Sequence, residues 1–600
     1  MALTKGVLWD GKYYVLPQAA SRIDSSALAK NPLGGDNKLA ILGNMVGLIP
    51  PGTCYKVNNP SLALQLIHTS CEEERLATQL AFDPSPGSGL PGASEVYLVP
   101  VNPATPAELT LSNAIKLTTY LYGLPANQVK VKIEAGSTAG KKVTVGYLNH
   151  IETFDDLTRP SFSIQYTGAG SAATMTITPT AAGHSLTTSC TGATQDNLNL
   201  DLNVYTNIQA VVDAINATGK YTATVLTPQP TVDLSMNLDA VTNQDIKTPA
   251  SAFELNAFPS NAFQQLTAYT AKSELQAIIN ELNAKSGYVS ASRVADAGAA
   301  PANVGWTYLS GAVNGTTTTT EWQAALDLLK TINIDLILPI TPDTSIHAMV
   351  DTHCDYMSGP NGKSERRAFV GGSLQNWNGE ANRATALAAL KTQAKALNSD
   401  RTMHAGLGSK LYDPNGVAKL YPGYITAAMY AGIAAGASPV LPLTRKYLRV
   451  LGLEVELRVA EIEEMIEAGI AVPIPDTVQG AGYVISRQVT TWTQDVNLYR
   501  IEFSVGRGAD YIASEVRKRH ELLIGYPGTE QIDQTIVNVT NGVLEAAKRD
   551  GYIRSYDPEA TSLRADNTVR YVDYSAVPVL PINWIFSTYF LEPTTYSIGL

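Results

Sequence analysis

His347, Asp351, His353, Cys354 and Asp355 form the densest group of metal-ligating and acid/base side chains in this 600-residue chain. On a helix over 345–356, His347 and Asp351 share a face at i, i+4 while His353 points elsewhere, so spacing supplies two ligands and no third. The plain reading is a polar helix face after a strand, and no metal is expected. Gly362-Lys363-Ser364 matches the end of a phosphate-binding loop, but Met357 occupies the place of its leading glycine. The segment 136–142 is one residue too short for that motif and lacks the Ser/Thr that would hold magnesium. No Gly-x-Ser-x-Gly elbow occurs. Thr490 and Thr491 read as β-branched strand residues rather than nucleophiles. Cys54, Cys71, Cys190 and Cys354 lie far apart without a CxxC pair, which favours buried, reduced thiols over a disulfide framework or zinc site. The expectation is a chain with no catalytic residue and no cofactor.

The elements that must position these residues follow one another without interruption over 335–600. The run 334–340 (IDLILPI), closed by Pro339 and Pro342, has the length and flanks of a strand buried on both faces. Leu387, Leu390, Ala394 and Leu397 mark one face of a helix over 380–398. The segment 422–437 (PGYITAAMYAGIAAGA) is apolar nearly all round, so as a helix it lies inside with its backbone close to its neighbours. A short helix over 460–468 stops at Gly469, and 470–474 resumes as strand. Two runs across 483–505, flanking Thr493-Gln494-Asp495, predict a β-hairpin that feeds a helix over 510–524. A further helix spans 529–550, 569–575 alternates as strand, and 582–591 (INWIFSTYFL) is strongly β-prone.

This order of elements, carrying Ser364-Glu365-Arg366-Arg367-Ala368-Phe369-Val370-Gly371, the Tyr421-Pro422 helix, Arg487-Gln488-Val489-Thr490-Thr491, Ser504-Val505-Gly506-Arg507-Gly508-Ala509-Asp510-Tyr511-Ile512 and the closing Pro581 strand, resembles the C-terminal half of contractile phage tail sheath proteins. The first ~80 residues are similar to that family too, and the middle third has no evident counterpart. The resemblance implies a structural protomer rather than an enzyme. It implies a homo-oligomer of stacked rings or a helical tube around an inner tail tube protein, bounded by baseplate and tail terminator proteins. Such a sheath is a virion component assembled in the host bacterial cytoplasm, and its contraction drives the tube through the host envelope. The resemblance assigns Arg366, Thr490, Thr491, Arg507 and Asp510 structural roles, with Arg507 and Asp510 read as a structural pair near a subunit contact rather than an acid/base pair. The sheath of a phage-tail-like bacteriocin or secretion system, or a cytoplasmic hydrolase, are the alternatives.

Charge and hydropathy agree. The net charge is −11 and no Lys/Arg run of five or more occurs, which argues against a dedicated nucleic-acid partner. No window approaches 18 consecutive apolar residues, and residues after Met1 to Lys5 lack an apolar signal core, so neither membrane insertion nor a signal peptide is expected.

Both chain ends hold aromatic, β-prone residues that the resemblance implies cross to neighbouring subunits and add strands to their sheets. These are Trp9, Tyr13, Tyr14 and Val15 at one end, and Trp584, Ile585, Phe586, Tyr589 and Phe590 at the other. Between 161 and 250 there are 23 Ser and Thr but only two basic residues, the composition of a β-rich insertion with a solvated surface. The expected fold is multidomain α/β (α+β). Its parts are an N-terminal arm and linker (1–36), an α/β domain (37–159), an inserted outer domain (160–304), a core α/β domain (305–575) and a C-terminal β arm (576–600).

Overall fold

The computed structural model of the chain describes residues 7–9, 12–14, 38–85, 89–180, 183–247, 269–294, 298–413, 416–476 and 482–590. It is a mixed α/β fold in two compact units. One holds 1–40, 77–96 and 332–600; the other holds 41–76 and 97–331.

The first unit is built on parallel strands. Leu336–Pro339, Arg367–Gly371, Thr402–Ala405 and Ile470–Ala471 pair in that order, all parallel. Each of the first three is buried along its whole length, which is why the sequence shows unbroken apolar runs and not alternation. Lys38 enters beside them, its carbonyl accepting from Asp335 N at 3.0 Å and its N–H donating to Asp335 Oδ2 at 2.9 Å. Thr344–Ser358 follows the first strand as a helix capped by Asp343, whose side chain accepts from Ser345 N. Glu380–Leu397 ends on Asn398 in the left-handed conformation (φ 42°). The Gly423–Gly436 helix has every residue from Gly423 to Ala435 buried. Its glycines allow this: a Cβ on Gly432 would lie 2.6 Å from the carbonyl oxygen of Leu80.

Three expectations are corrected here. The hairpin over 483–505 is half formed: Tyr483–Ile485 is a strand, but Leu498–Ile501 and Phe503–Glu521 are helices. Tyr499, Ile501, Phe503 and Val505 mimic strand alternation, yet a strand would not bring Gly506 against Arg367, where a Cβ would meet Nη2 at 2.4 Å. The 470–474 strand divides, Ile470–Ala471 joining the parallel sheet and Pro473–Pro475 pairing antiparallel with Tyr483–Ile485. The described part of 582–591, residues 582–590, forms no strand. No strand among the described residues pairs with it.

The second unit has two cores. One is filled from Ala107 to Leu157 together with Leu275, Ile278, Leu282, Val289 and Leu309. The other runs from Phe162 to Ala271 and takes in Ile208, Val211, Val212 and Ile215 of the Ile208–Ala217 helix. The segment 160–304 thus contributes to both: Val289–Arg293 pairs with Ile115–Tyr122, and the following Val304–Tyr308 pairs with Lys130–Ala135. Residues 248–268 lie outside the described residues, and the chain resumes with the strand Tyr269–Lys272 followed by the helix Glu274–Lys285. Nearer the start of the chain are two helices, Pro60–Leu66 and Glu72–Phe82.

Candidate functional site

Arg366 and Arg367 stand together at the start of a fully buried strand, 1% and 2% exposed. Successive strand residues face opposite ways, so the two guanidiniums enter different layers. Arg366 Nη1 meets His353 Nε2 at 2.6 Å and Nη2 donates to the Ile332 carbonyl at 2.7 Å. Because a guanidinium has only protons to give, His353 Nε2 accepts and the imidazole carries its own proton on Nδ1. Burial pulls Arg366 down to about 10, opposed by the nearby Cys354 and Asp335, so it stays charged at neutral pH.

Arg367 Nε donates to Asp510 Oδ2 at 2.7 Å, and its Nη1 to the Asp400 carbonyl at 2.7 Å. Arg401 Nη1 approaches the same Asp510 oxygen at 3.3 Å. The expected Arg507–Asp510 pair is therefore replaced: Asp510 takes Arg367 and Arg401. Arg507 Nη1 donates at 2.6 Å to the carbonyl of Ala434, in the last turn of the buried helix where carbonyls lack helical partners. Arg367 and Arg401 carry this network and were not singled out from the sequence. Two adjacent arginines opening an all-apolar strand were the available signal, since a buried guanidinium requires acceptors.

Thr490 and Thr491 are fully buried. Thr490 Oγ1 donates to the Arg500 carbonyl at 2.5 Å, and Thr491 Oγ1 donates to the Ser399 carbonyl at 3.1 Å while accepting from Ser399 N at 2.9 Å. Both hydroxyls tie loops together. The dense His/Asp/Cys group resolves the same way. Asp351 accepts from Thr402 Oγ1 at 2.6 Å and His347 Nε2 meets the Thr341 carbonyl at 2.8 Å. Burial raises the Cys354 thiol well above its ordinary value, so it is no ready thiolate. Among the described residues no group of three or more His, Cys, Asp or Glu is placed to hold a metal ion, and no helix is long and apolar enough to cross a membrane. Lys363 sits in no phosphate cradle but pairs with Glu521 at 3.3 Å on the surface.

The chain ends differ from this buried interior. Val7–Trp9 and Lys12–Tyr14 form an antiparallel hairpin with Leu8 opposite Tyr13 and Trp9 opposite Lys12, which places Trp9, Tyr13 and Tyr14 on two short paired strands; Val15 lies outside the described residues. At the other end Trp584, Ile585, Phe586, Tyr589 and Phe590 are 65–92% exposed. Scattered apolar residues on a surface are ordinary, but a contiguous exposed run of this size is not.

No family model matches the chain. It is 29% identical over 612 residues to the tail sheath protein of Bacillus phage SP01, covering 98% of each chain. It is 25% identical to a putative tail sheath protein of Enterococcus phage phiEF24C, covering 95% of each. Its fold is similar to that of the sheath tail protein of Desulfitobacterium hafniense, with a TM-score of 0.52 at 11% identity and coverage of 94% of this chain and 96% of that one. The sheath tail protein of Listeria innocua matches with the same TM-score at 14% identity, covering 92% and 94%. Fold and sequence agree from one end to the other: the chain is a homologue of the tail sheath proteins of phages.

Proposed function

We propose that the chain is the structural protomer of a contractile phage tail sheath. Copies polymerise in stacked rings or a helix around an inner tail tube protein, between baseplate and tail terminator proteins, inside the host bacterial cytoplasm, and become part of the virion. Contraction slides them into a shorter, wider packing that drives the tube through the host envelope. No nucleotide or cofactor is required, because new contacts between subunits supply the free energy.

The observation that carries this reading is the end-to-end likeness to tail sheath proteins. The exposed C-terminal ribbon gives it a physical basis. Extended backbone with open N–H and C=O groups and large apolar side chains gains most by pairing with a sheet on another copy. No strand among the described residues pairs with the ribbon, which supports that role, and the N-terminal arm is assigned the same one.

Electron microscopy of the purified protein tests the proposal. The full chain is expected to form striated tubes, and a chain lacking residues 582–600 is expected to give none or only short rings. Long tubes unchanged by that truncation would overturn the linking role of the arm.

A further inference from the structure

The C-terminal arm leaves its own subunit at a defined place. Ala576–Pro578 is still paired with Ile553–Tyr556. Pro578 and Val579 then run along a groove of about 470 Å³ lined by Ile512, Tyr552 and Tyr574. The last hold on the body is Asn583, whose Nδ2 donates to Glu502 Oε1 at 2.9 Å. Arg487 grips the same oxygen through Nε at 2.8 Å and Nη2 at 2.7 Å. Its guanidinium also lies 5.1 Å from the centre of the Trp584 ring. From Ile585 to Phe590 every residue is exposed.

Glu502 is well placed for such a hold. It is 0% exposed and caps the start of the Phe503–Glu521 helix, and its backbone bridges to Val489. A carboxylate paired with a guanidinium and accepting from an amide N–H makes a charge-assisted hydrogen bond, the stronger kind. The contact is not saturated, because Glu502 Oε2 and Asn583 Oδ1 are buried without partners among the described residues. Loss of the Asn583 contact would still leave Glu502 paired with Arg487.

We propose that Arg487, Glu502, Asn583 and Trp584 form a clamp that fixes where the arm departs, and so sets the reach at which it joins a second copy. The inference rests on the linking role of the arm. The length at stake is the six residues that follow Pro578, Val579 to Trp584. Fully extended, they add roughly 20 Å of reach. The effective concentration of a tethered segment depends steeply on such a change, and is greatest when the tether matches the span. These four are positioning residues; the segment after them makes the contact.

Three readouts on the full chain test this. In the unassembled protein, chymotrypsin should cut readily at Phe586, Tyr589 and Phe590 and slowly after Trp584. Asn583→Ala, Arg487→Lys and Glu502→Gln should each raise cleavage after Trp584 about tenfold, the effect of losing one charge-assisted hydrogen bond. For Asn583→Ala the melting temperature of the body should stay unchanged, while its tubes should show altered or irregular subunit spacing. Unchanged cleavage after Trp584 would show that nothing is clamped. Faster cleavage with unaltered tube spacing would overturn the positioning role and leave the sheath reading intact. Wild-type protein that never forms tubes would overturn the sheath reading, and the positioning role with it. Should Glu502→Gln fail to fold, Asn583→Ala decides alone, because it shortens a side chain on the chain end and not in the body.

Discussion

The carboxylate of Asp510 accepts a 2.7 Å hydrogen bond from Nε of Arg367, a residue 143 positions earlier in the chain. Arg401 approaches the same oxygen, and the side chains of Arg367 and Asp510 are 2% and 10% exposed. Breaking a buried pair strands the remaining charge, which costs more than the pair itself contributes. Asp510→Ala should therefore lower stability by about 3–5 kcal/mol. Urea unfolding followed by circular dichroism reads this directly. A loss below about 1 kcal/mol would place the network in water rather than in the core.

A second prediction concerns acid. His404 is fully buried on the Thr402–Ala405 strand, and neither ring nitrogen has a partner among the described residues. Burial, with the neighbouring His347 adding to it, pulls its imidazole down to about 3 from 6.5. The native state thus binds fewer protons than the unfolded chain, so stability is complete above pH 6.5 and falls as pH drops toward 3. Between pH 7 and pH 5 the loss from this residue is about 2 kcal/mol. His347 is shifted the same way by burial and adds to the loss. Urea midpoints at the two pH values should differ accordingly, and His404→Leu should reduce the difference. An unchanged difference in the variant would exclude His404 as its source.

Packing gives a third. A Cβ on Gly432 would stand 2.6 Å from Leu80 O and 2.9 Å from Ala81 O, both backbone atoms that cannot swing aside. Gly432→Ala raises helix propensity, but the overpacking outweighs it, and a net loss of about 1–3 kcal/mol is expected. A rise in melting temperature would mean the Glu72–Phe82 helix can shift outward.

What the sequence made legible follows from locality. The Gly423–Gly436 helix announced its burial by being apolar all round, and Gly469, at φ 80°, announced a stop because that conformation suits glycine. The reading failed where distant residues decide. Phe503 to Val505 alternates like a strand, but Gly506 and Gly508 allow a helix to pack against Arg367 and Val440. Of the Arg367–Asp510–Arg401 network the sequence showed only the adjacent arginines, because the acceptor Asp510 lies far along the chain. The 582–590 segment has the composition of a strand, yet no strand among the described residues pairs with it, and propensity without a pairing partner does not make a strand.

The exposed arm supplies the last prediction. Phe586 is 92% exposed, so replacing it should change the stability of the isolated subunit by no more than about 0.5 kcal/mol. If the arm joins copies, burying an aspartate in its place on a second subunit leaves a charge without a partner, which such an interface does not tolerate. Phe586→Asp should therefore melt like the wild type while losing the ability to form tubes, as judged by sedimentation and electron microscopy. Exposed Ile582, on the body side of the clamp, provides the contrast: Ile582→Asp should leave tubes intact if the joining segment begins only after Trp584. Equal damage from both substitutions would move the start of the contact back toward the body. Damage from neither would remove the arm from the assembly altogether.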